Sequence, residues 1–321
     1  MCGRYATTAS TSDLVAAFDA ALAAEDAAKL DNPSYNVAPT TTVPTVLERA
    51  ERSESDQSRR SESVHVTDGE PAVQRQLRAL RWGLVPSWAK DPSIGSRMIN
   101  ARSETLTEKP SFKRAAAKRR CILPAAGFFE WTKGEDGKKL PFFMHDPDTP
   151  ILGFAGLYEL WPDPGKAKDD PDRWLWTTTV ITRPAADALG HIHDRTPVIV
   201  TPDMRDDWLD CSSGKVEVAR DLLEALPEPH LVPYRVSTDV NNVRNNRADL
   251  IQPLLGSAQL GFSAVQQSRR LQVVMSATTA SVTAIRSAGD SSISRPRLPA
   301  LQNTTGHSSA VSSTTVGSGL R

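Results

Sequence analysis

The chain has 321 residues, 38 basic and 38 acidic side chains, a formal net charge of zero and 39% hydrophobic residues. Bulk charge gives no sign of a nucleic-acid coat, so any polyanion-binding surface must be a local patch. Cysteines at positions 2, 121 and 211 form neither a disulfide framework nor a zinc pattern, and no run approaches the ~18 apolar residues of a membrane span. A soluble, intracellular protein of a reducing compartment is expected.

Residues 12–30, "SDLVAAFDAALAAEDAAKL", place Leu14, Phe18 and Leu22 four apart and predict an amphipathic helix capped by Ser12 or Asp13. "NPSYNVAPTTTVPTVL" reads as a turn-rich lead into a strand. Residues 50–72 lack large apolar groups and are expected to be a disordered insertion in a hairpin loop. "LRALRWGLVPSWA" reads as a strand and a turn, "PSFKRAAAKRR" as a basic helix, and "CILPAAGFFEW" as a strand kinked at glycine. "LPFFMHD", "ILGFAGLYELW", "WLWTTTVITR" and "RTPVIVTP" follow as strands; "PAADALGHIHD" and "KVEVARDLLEAL" as short helices. Strands and helices do not alternate regularly. The expected class is α+β, with a largely antiparallel, barrel-like sheet and helices around it. The expected domain is 1–256. Residues 257–321, rich in Ser and Thr with six arginines and one aspartate, read as a disordered tail and leave the body with 32 basic against 37 acidic groups.

The start "MCGRY" carries the first chemical signal. If Met1 is trimmed, Cys2 presents an α-amine of reference pKa near 8 beside a thiol near 8.5. That pair suits acyl transfer or capture of an aldehyde. Glu130 in "GFFEW" lies among aromatic residues, and desolvation there would raise its pKa toward neutrality; a surface glutamate at a strand end is the alternative. His191 and His193 precede "RTP" and could move a proton or be structural. No cysteine or acid falls at ligand spacing from them, so no metal is expected. Asn100 in "INARSET" can donate and accept, and Arg102 points the same way if the segment is extended. Residues 97–120 carry a net charge of +6, which fits either a solvated helix face or a phosphate track. Trp82 and Trp88 flank "GLVPS" and could stack an unpaired base or fill a core.

Taken in order, "MCGRYA", "NVAPT", "RWGLVPSWA", "INARSET", "CILPAAGFFEW" and "HDRTPVIV" resemble the SRAP family, the SOS-response-associated peptidases also called abasic site processing proteins. The resemblance spans roughly residues 2–254. It implies single-stranded DNA binding and a covalent link to abasic sites. By the same resemblance Cys2 is the nucleophile, Asn100 orients the Cys2 backbone and the sugar remnant, Glu130 is the catalytic glutamate, and His193, two before Arg195, is the family's histidine. Arg4, Arg102 and Arg195 resemble phosphate contacts; Pro39, Trp82 and Trp88 resemble groups lining the DNA cleft. Thr196 stands where the family usually has methionine, which puts the local packing in doubt.

The resemblance further implies a thiazolidine adduct after Met1 removal, with peptidase and lyase activity. It implies abasic single-stranded DNA as partner, a monomer with replication-fork proteins as further partners, and no cofactor or membrane. The expected location is cytoplasmic and nucleoid-associated, or nuclear in a eukaryote. Two rivals stand beside this reading. N-terminal-nucleophile amidotransferases also begin Met-Cys-Gly, but continue with an apolar residue where Arg4 stands and carry an Arg-Gly-Pro-Asp turn absent here. A noncatalytic single-strand-binding module would need only the tryptophans and arginines.

Overall fold

A computed structural model describes residues 2–50, 73–185 and 192–254, all within one compact unit spanning Met1–Ala258. The expected insertion, apart from residue 50, and the expected tail lie outside the described residues, as does His191. Among the described residues no helix is long and apolar enough to cross a membrane.

The strands in chain order are β1 (Tyr5–Thr7), β2 (Ala21–Leu22), β3 (Ser34–Val37), β4 (Thr42–Ala50), β5 (Val73–Trp82), β6 (Asn100–Arg102), β7 (Arg120–Ala125), β8 (Gly127–Lys133), β9 (Lys139–His145), β10 (Leu152–Pro162), β11 (Trp174–Pro184), β12 (Arg195–Pro197) and β13 (Val232–Arg235). β5, β4, β7, β10 and β11 pair antiparallel in that order, and a parallel contact between β11 and β5 closes the ring. The result is the expected α+β class with a barrel. Side chains alternate across each strand, so one set enters the lumen and the other faces out. Leu47, Leu80, Trp82, Cys121, Leu123, Phe154, Tyr158 and Val180 share the lumen cluster. Val46, Leu77, Ile122, Ala155, Leu157 and Ile181 face the helices instead.

Those helices are Pro110–Lys118 and Val216–Ala225, which pack against each other, together with Thr11–Phe18 and Arg205–Leu209. The first expected helix is shorter than the periodicity suggests. Ser10, not Ser12 or Asp13, caps it in a reciprocal box with Asp13, and it stops at Asp19 in the left-handed region (φ 48°). Beyond it, Asp26 is buried because Arg78 (2.7 Å), Lys29 (3.0 Å) and the Ala79 amide (3.1 Å) satisfy its carboxylate, which holds a 3-10 turn rather than more α-helix. The helix expected over "PAADALGHIHD" is not seen at its described ends, Pro184–Ala185 and Ile192–Asp194. The strand expected over "RTPVIVTP" is confined to Arg195–Pro197, with one further bridge between Phe154 and Ile199.

A second sheet, β3-β1-β8-β9-β13, caps the barrel. The expected kink in "CILPAAGFFEW" is the passage from one sheet to the other: β7 ends at Ala125 in the barrel and β8 begins at Gly127 in the cap. Gly127 has φ +159° and a Cβ there would lie 2.3 Å from the Met144 carbonyl oxygen and 2.5 Å from the Phe143 ring. Backbone, not a flexible side-chain tip, sets that limit.

Gly127→Ala should therefore destabilise the fold by more than about 2 kcal/mol, read as a lowered urea midpoint. A midpoint within experimental scatter of the parent would contradict this account of the sheet crossing.

Candidate functional site

The cap sheet fixes the start of the chain. β1 opens at Tyr5 and is held between β3 and β8, with Tyr5 paired to both Val37 and Phe128. The residues just before it are thereby laid over the barrel mouth. Cys2 is fully buried and belongs to the lumen cluster with Tyr5, Val37 and Trp82. Tyr5 meets Trp82 edge-on at 5.1 Å and Phe154 at 5.8 Å, so the floor under the terminus is aromatic.

Asn100 begins β6, which pairs in parallel with β11 at Val180. Its Nδ2 donates to the Cys2 carbonyl at 2.8 Å, while its Oδ1 is buried and accepts no hydrogen bond among the described residues. Glu130 lies on β8, two residues past Phe128, and is 4% exposed. Burial pushes its carboxyl up to about 7; the positive amino terminus of the chain pulls the other way by charge and hydrogen bonding, and Asp194 adds a further upward push. Burial also drives the Cys2 thiol well above its ordinary range, and the Glu130 charge adds to this, against smaller offsets from the amino terminus and the Arg4 amide. The thiol of the folded chain is therefore neutral at pH 7.

His193 joins Glu130 in a small pocket completed by Phe128, Met144, Ile192 and Arg195. Burial and the positive amino terminus lower its pKa below the ordinary imidazole value, against an upward pull from Asp194. Cys2, Asn100, Glu130 and His193, far apart in sequence, thus surround the mouth of one barrel. Their grouping includes a buried thiol, a carboxyl poised near neutrality, an amide with an open acceptor and a neutral imidazole. Such a set can hold and deprotonate an amine and work on a carbonyl carbon.

The model of the SOS response associated peptidase (SRAP) family matches residues 1–243. The chain belongs to the SRAP family. It is 34% identical over 252 residues to the abasic site processing protein YoqW of Bacillus subtilis (strain 168), covering 78% of this chain and 99% of that protein. It is 31% identical over 245 residues to the abasic site processing protein HMCES of Gallus gallus, covering 69% of this chain and 66% of that one. A crystal structure from Bacteroides thetaiotaomicron shares the fold, with a TM-score of 0.58 at 24% identity, over 79% of this chain and 100% of the other.

The SRAP residues expected to touch DNA divide sharply. Trp88 is 61% exposed and Arg102 is exposed at the end of β6, so both can meet a ligand. Pro39 is half-buried in the "NVAPT" turn. Beside it Thr40 takes φ 71°, strained for a β-branched residue, and its amide donates to the Trp82 carbonyl at 2.8 Å. Trp82 itself is fully buried with its indole N–H on the Ile99 carbonyl at 2.9 Å. It has no open face for a base and packs against Tyr5 in the lumen. Arg4 is turned inward: its guanidinium donates to Asn36 Oδ1 at 2.7 Å and the Val240 carbonyl at 2.9 Å, and lies 5.8 Å from the Trp131 ring centre. Arg195 is 8% exposed, with its terminal nitrogens on Glu104 and the Thr182 carbonyl and its Nε buried without a hydrogen-bond partner among the described residues, so it is turned away from the surface. The basic run 97–120 also shrinks. Arg119 pairs with Glu159, and Arg120 is buried on the carbonyls of Trp208, Ala116 and Asp210. Thr196 is buried in the middle of β12, paired with Arg183.

Asn36 is a site residue the sequence reading missed. Its Nδ2 reaches the carbonyls of Val240, Asn242 and Asn245, tying the "NVAPT" turn to the far end of the SRAP domain. It stands inside a recognised motif, but the carbonyls its Nδ2 reaches lie more than 200 positions away.

The Glu130 titration has a consequence for stability. Its folded-state pKa is raised from 4.5 to about 7, so between these values the folded chain holds a proton that the unfolded chain has released. The stabilisation is full below pH 4.5 and is lost as pH rises to about 7. Glu130→Gln should match the parent at acid pH and gain on it toward pH 8, by up to ~3 kcal/mol. A difference in melting temperature that stays constant with pH would contradict the raised pKa.

Proposed function

We propose that this protein acts on abasic sites in single-stranded DNA, trapping the opened sugar as a thiazolidine on Cys2 after Met1 is removed. The observation that carries the reading is the burial of Cys2 beside Glu130, with the Cys2 carbonyl held by Asn100 at 2.8 Å. The curated SRAP relatives named above are called abasic site processing proteins, which supports the same substrate.

The residue chemistry sets the order of events. Loss of Met1 turns the Cys2 amide nitrogen into a primary amine at the position Asn100 fixes. Glu130, poised near 7, takes the proton that the ammonium must lose before it can attack. The amine adds to the aldehyde carbon and one water leaves, giving an imine. The thiol then adds across the C=N bond: sulfur bonds to carbon and the thiol proton passes to nitrogen. A thiol kept neutral by burial does not compete in the first step, so nitrogen attacks before sulfur. Two bonds now hold the carbon, and the ring outlasts a simple imine. The same imine, by giving a C2′ proton to a base, forming a C2′=C3′ double bond and expelling the 3′ phosphate, would give strand cleavage, and Met1 removal by the protein itself would account for the peptidase name. A duplex hides this carbon in the stack, which favours single strands. Arg102 and Trp88 are both exposed, and on this reading they supply a phosphate contact and a stacking face.

Cys2→Ala should abolish the shifted band formed with an abasic single-stranded oligonucleotide on a denaturing gel, while filter binding of intact strands stays within about twofold. A persistent band would rule out the Cys2 ring. Trp88→Ala should weaken intact-strand binding by ~1–3 kcal/mol, and Arg102→Ala should lower the salt slope by about one. Unchanged affinity and slope in both would move the DNA path elsewhere.

A further inference from the structure

We propose that Glu104 and Arg195 are positioning residues that lock the His193 ring as its Nε2–H tautomer, so that His193 presents a hydrogen-bond donor to the substrate and leaves the base role to Glu130. The assignment of roles rests on the functional reading above; the tautomer itself does not.

The Arg195 backbone amide donates to His193 Nδ1 at 3.0 Å. A nitrogen that accepts a hydrogen bond in the ring plane carries no proton, which leaves the proton on Nε2. Asp194 Oδ1 lies 2.8 Å from the same Nδ1 and would favour the opposite tautomer or the charged ring. Nδ1 cannot serve both. The Asp194 side chain is 85% exposed, so water solvates it and weakens its pull, whereas the Arg195 amide belongs to β12 and does not move.

The pairing of β12 with β11 and the arginine's own side chain together keep that amide in place. That side chain is 8% exposed, and its two terminal nitrogens meet the two Glu104 oxygens, one at 2.5 Å and the other at 2.9 Å. The second also reaches the Thr182 carbonyl at 2.6 Å. A bidentate pair of this kind fixes orientation as well as charge. The Arg195 side chain holds the Glu104 carboxyl down at about 2, so Glu104 stays ionised throughout the neutral range. Glu104 sits two residues beyond β6, the strand that carries Asn100. One short segment therefore places the amide that holds Cys2 and the carboxylate that, through Arg195, sets His193. The other charged groups facing His193 are the amino terminus, Asp194 and, across the shared pocket, Glu130.

Nitrogen-detected NMR of the full chain at neutral pH tests this. In the parent, His193 should show an unprotonated Nδ1 and a protonated Nε2. Glu104→Gln should convert this to a mixture of tautomers and slow adduct formation roughly tenfold or more, with the acid limb of its pH profile displaced. Glu104→Asp, which keeps the charge, should recover part of both. A parent His193 protonated at Nδ1 overturns the proposal whatever the variants do, and so does a Glu104→Gln protein with the parental tautomer. A parent that shows the expected tautomer but forms no adduct would instead overturn the functional reading.

Discussion

The burial of the second residue at the mouth of a closed barrel is the constraint from which the chemistry of this site follows. β1 is three residues long, yet it is clamped on both sides by β3 and β8, and that double pairing commits the chain start to the lumen. Once there, Cys2 loses its water, the thiol is held neutral, and the nearby Glu130 carboxyl rises to about 7. A flexible, hydrated terminus would have an ordinary thiol and an ordinary carboxylate nearby. The barrel changes both by desolvation.

Charge is used in two ways in this domain. Arg4, Arg120 and Arg195 turn inward and spend their donors on carbonyls or carboxylates of the same chain. They tie together segments remote in sequence: β1 to the 240s, β7 to the helix Arg205–Leu209, β12 to the turn after β6. Arg102 and Trp88 stay at the surface. A net charge of zero is consistent with this division, since the groups left for a polyanion are few and local.

Much of this was legible in the sequence. Apolar runs between turn signals marked strands such as β10 and β11, and the glycine in "GFFEW" marked a kink that the fold uses to pass from one sheet to the other. The position of Cys2 and the aromatic setting of Glu130 singled out two residues that the fold brings close to each other. The inward turn of Arg4 and Arg195 was not legible, because a surface arginine and a buried one look alike until their acceptors are known. Their acceptors, Asn36 and Glu104, lie 32 and 91 positions away. Trp82 could be a stacking platform or a core residue by its local pattern, and only the family resemblance placed it in a DNA cleft; its burial follows from barrel closure, a long-range event that no local pattern encodes. The first helix was read too long for a similar reason, since the salt-bridged burial of Asp26 depends on Arg78 in a strand 52 positions on.

The central claim is that nitrogen and sulfur of one residue together capture a carbonyl carbon. Intact-mass analysis of the purified chain, after incubation with an abasic single strand, tests it in one spectrum. The account predicts a species equal to the chain without Met1, plus the oligonucleotide, minus one water. An adduct on a chain that still carries Met1, or a chain without Met1 that gains no mass, would contradict it.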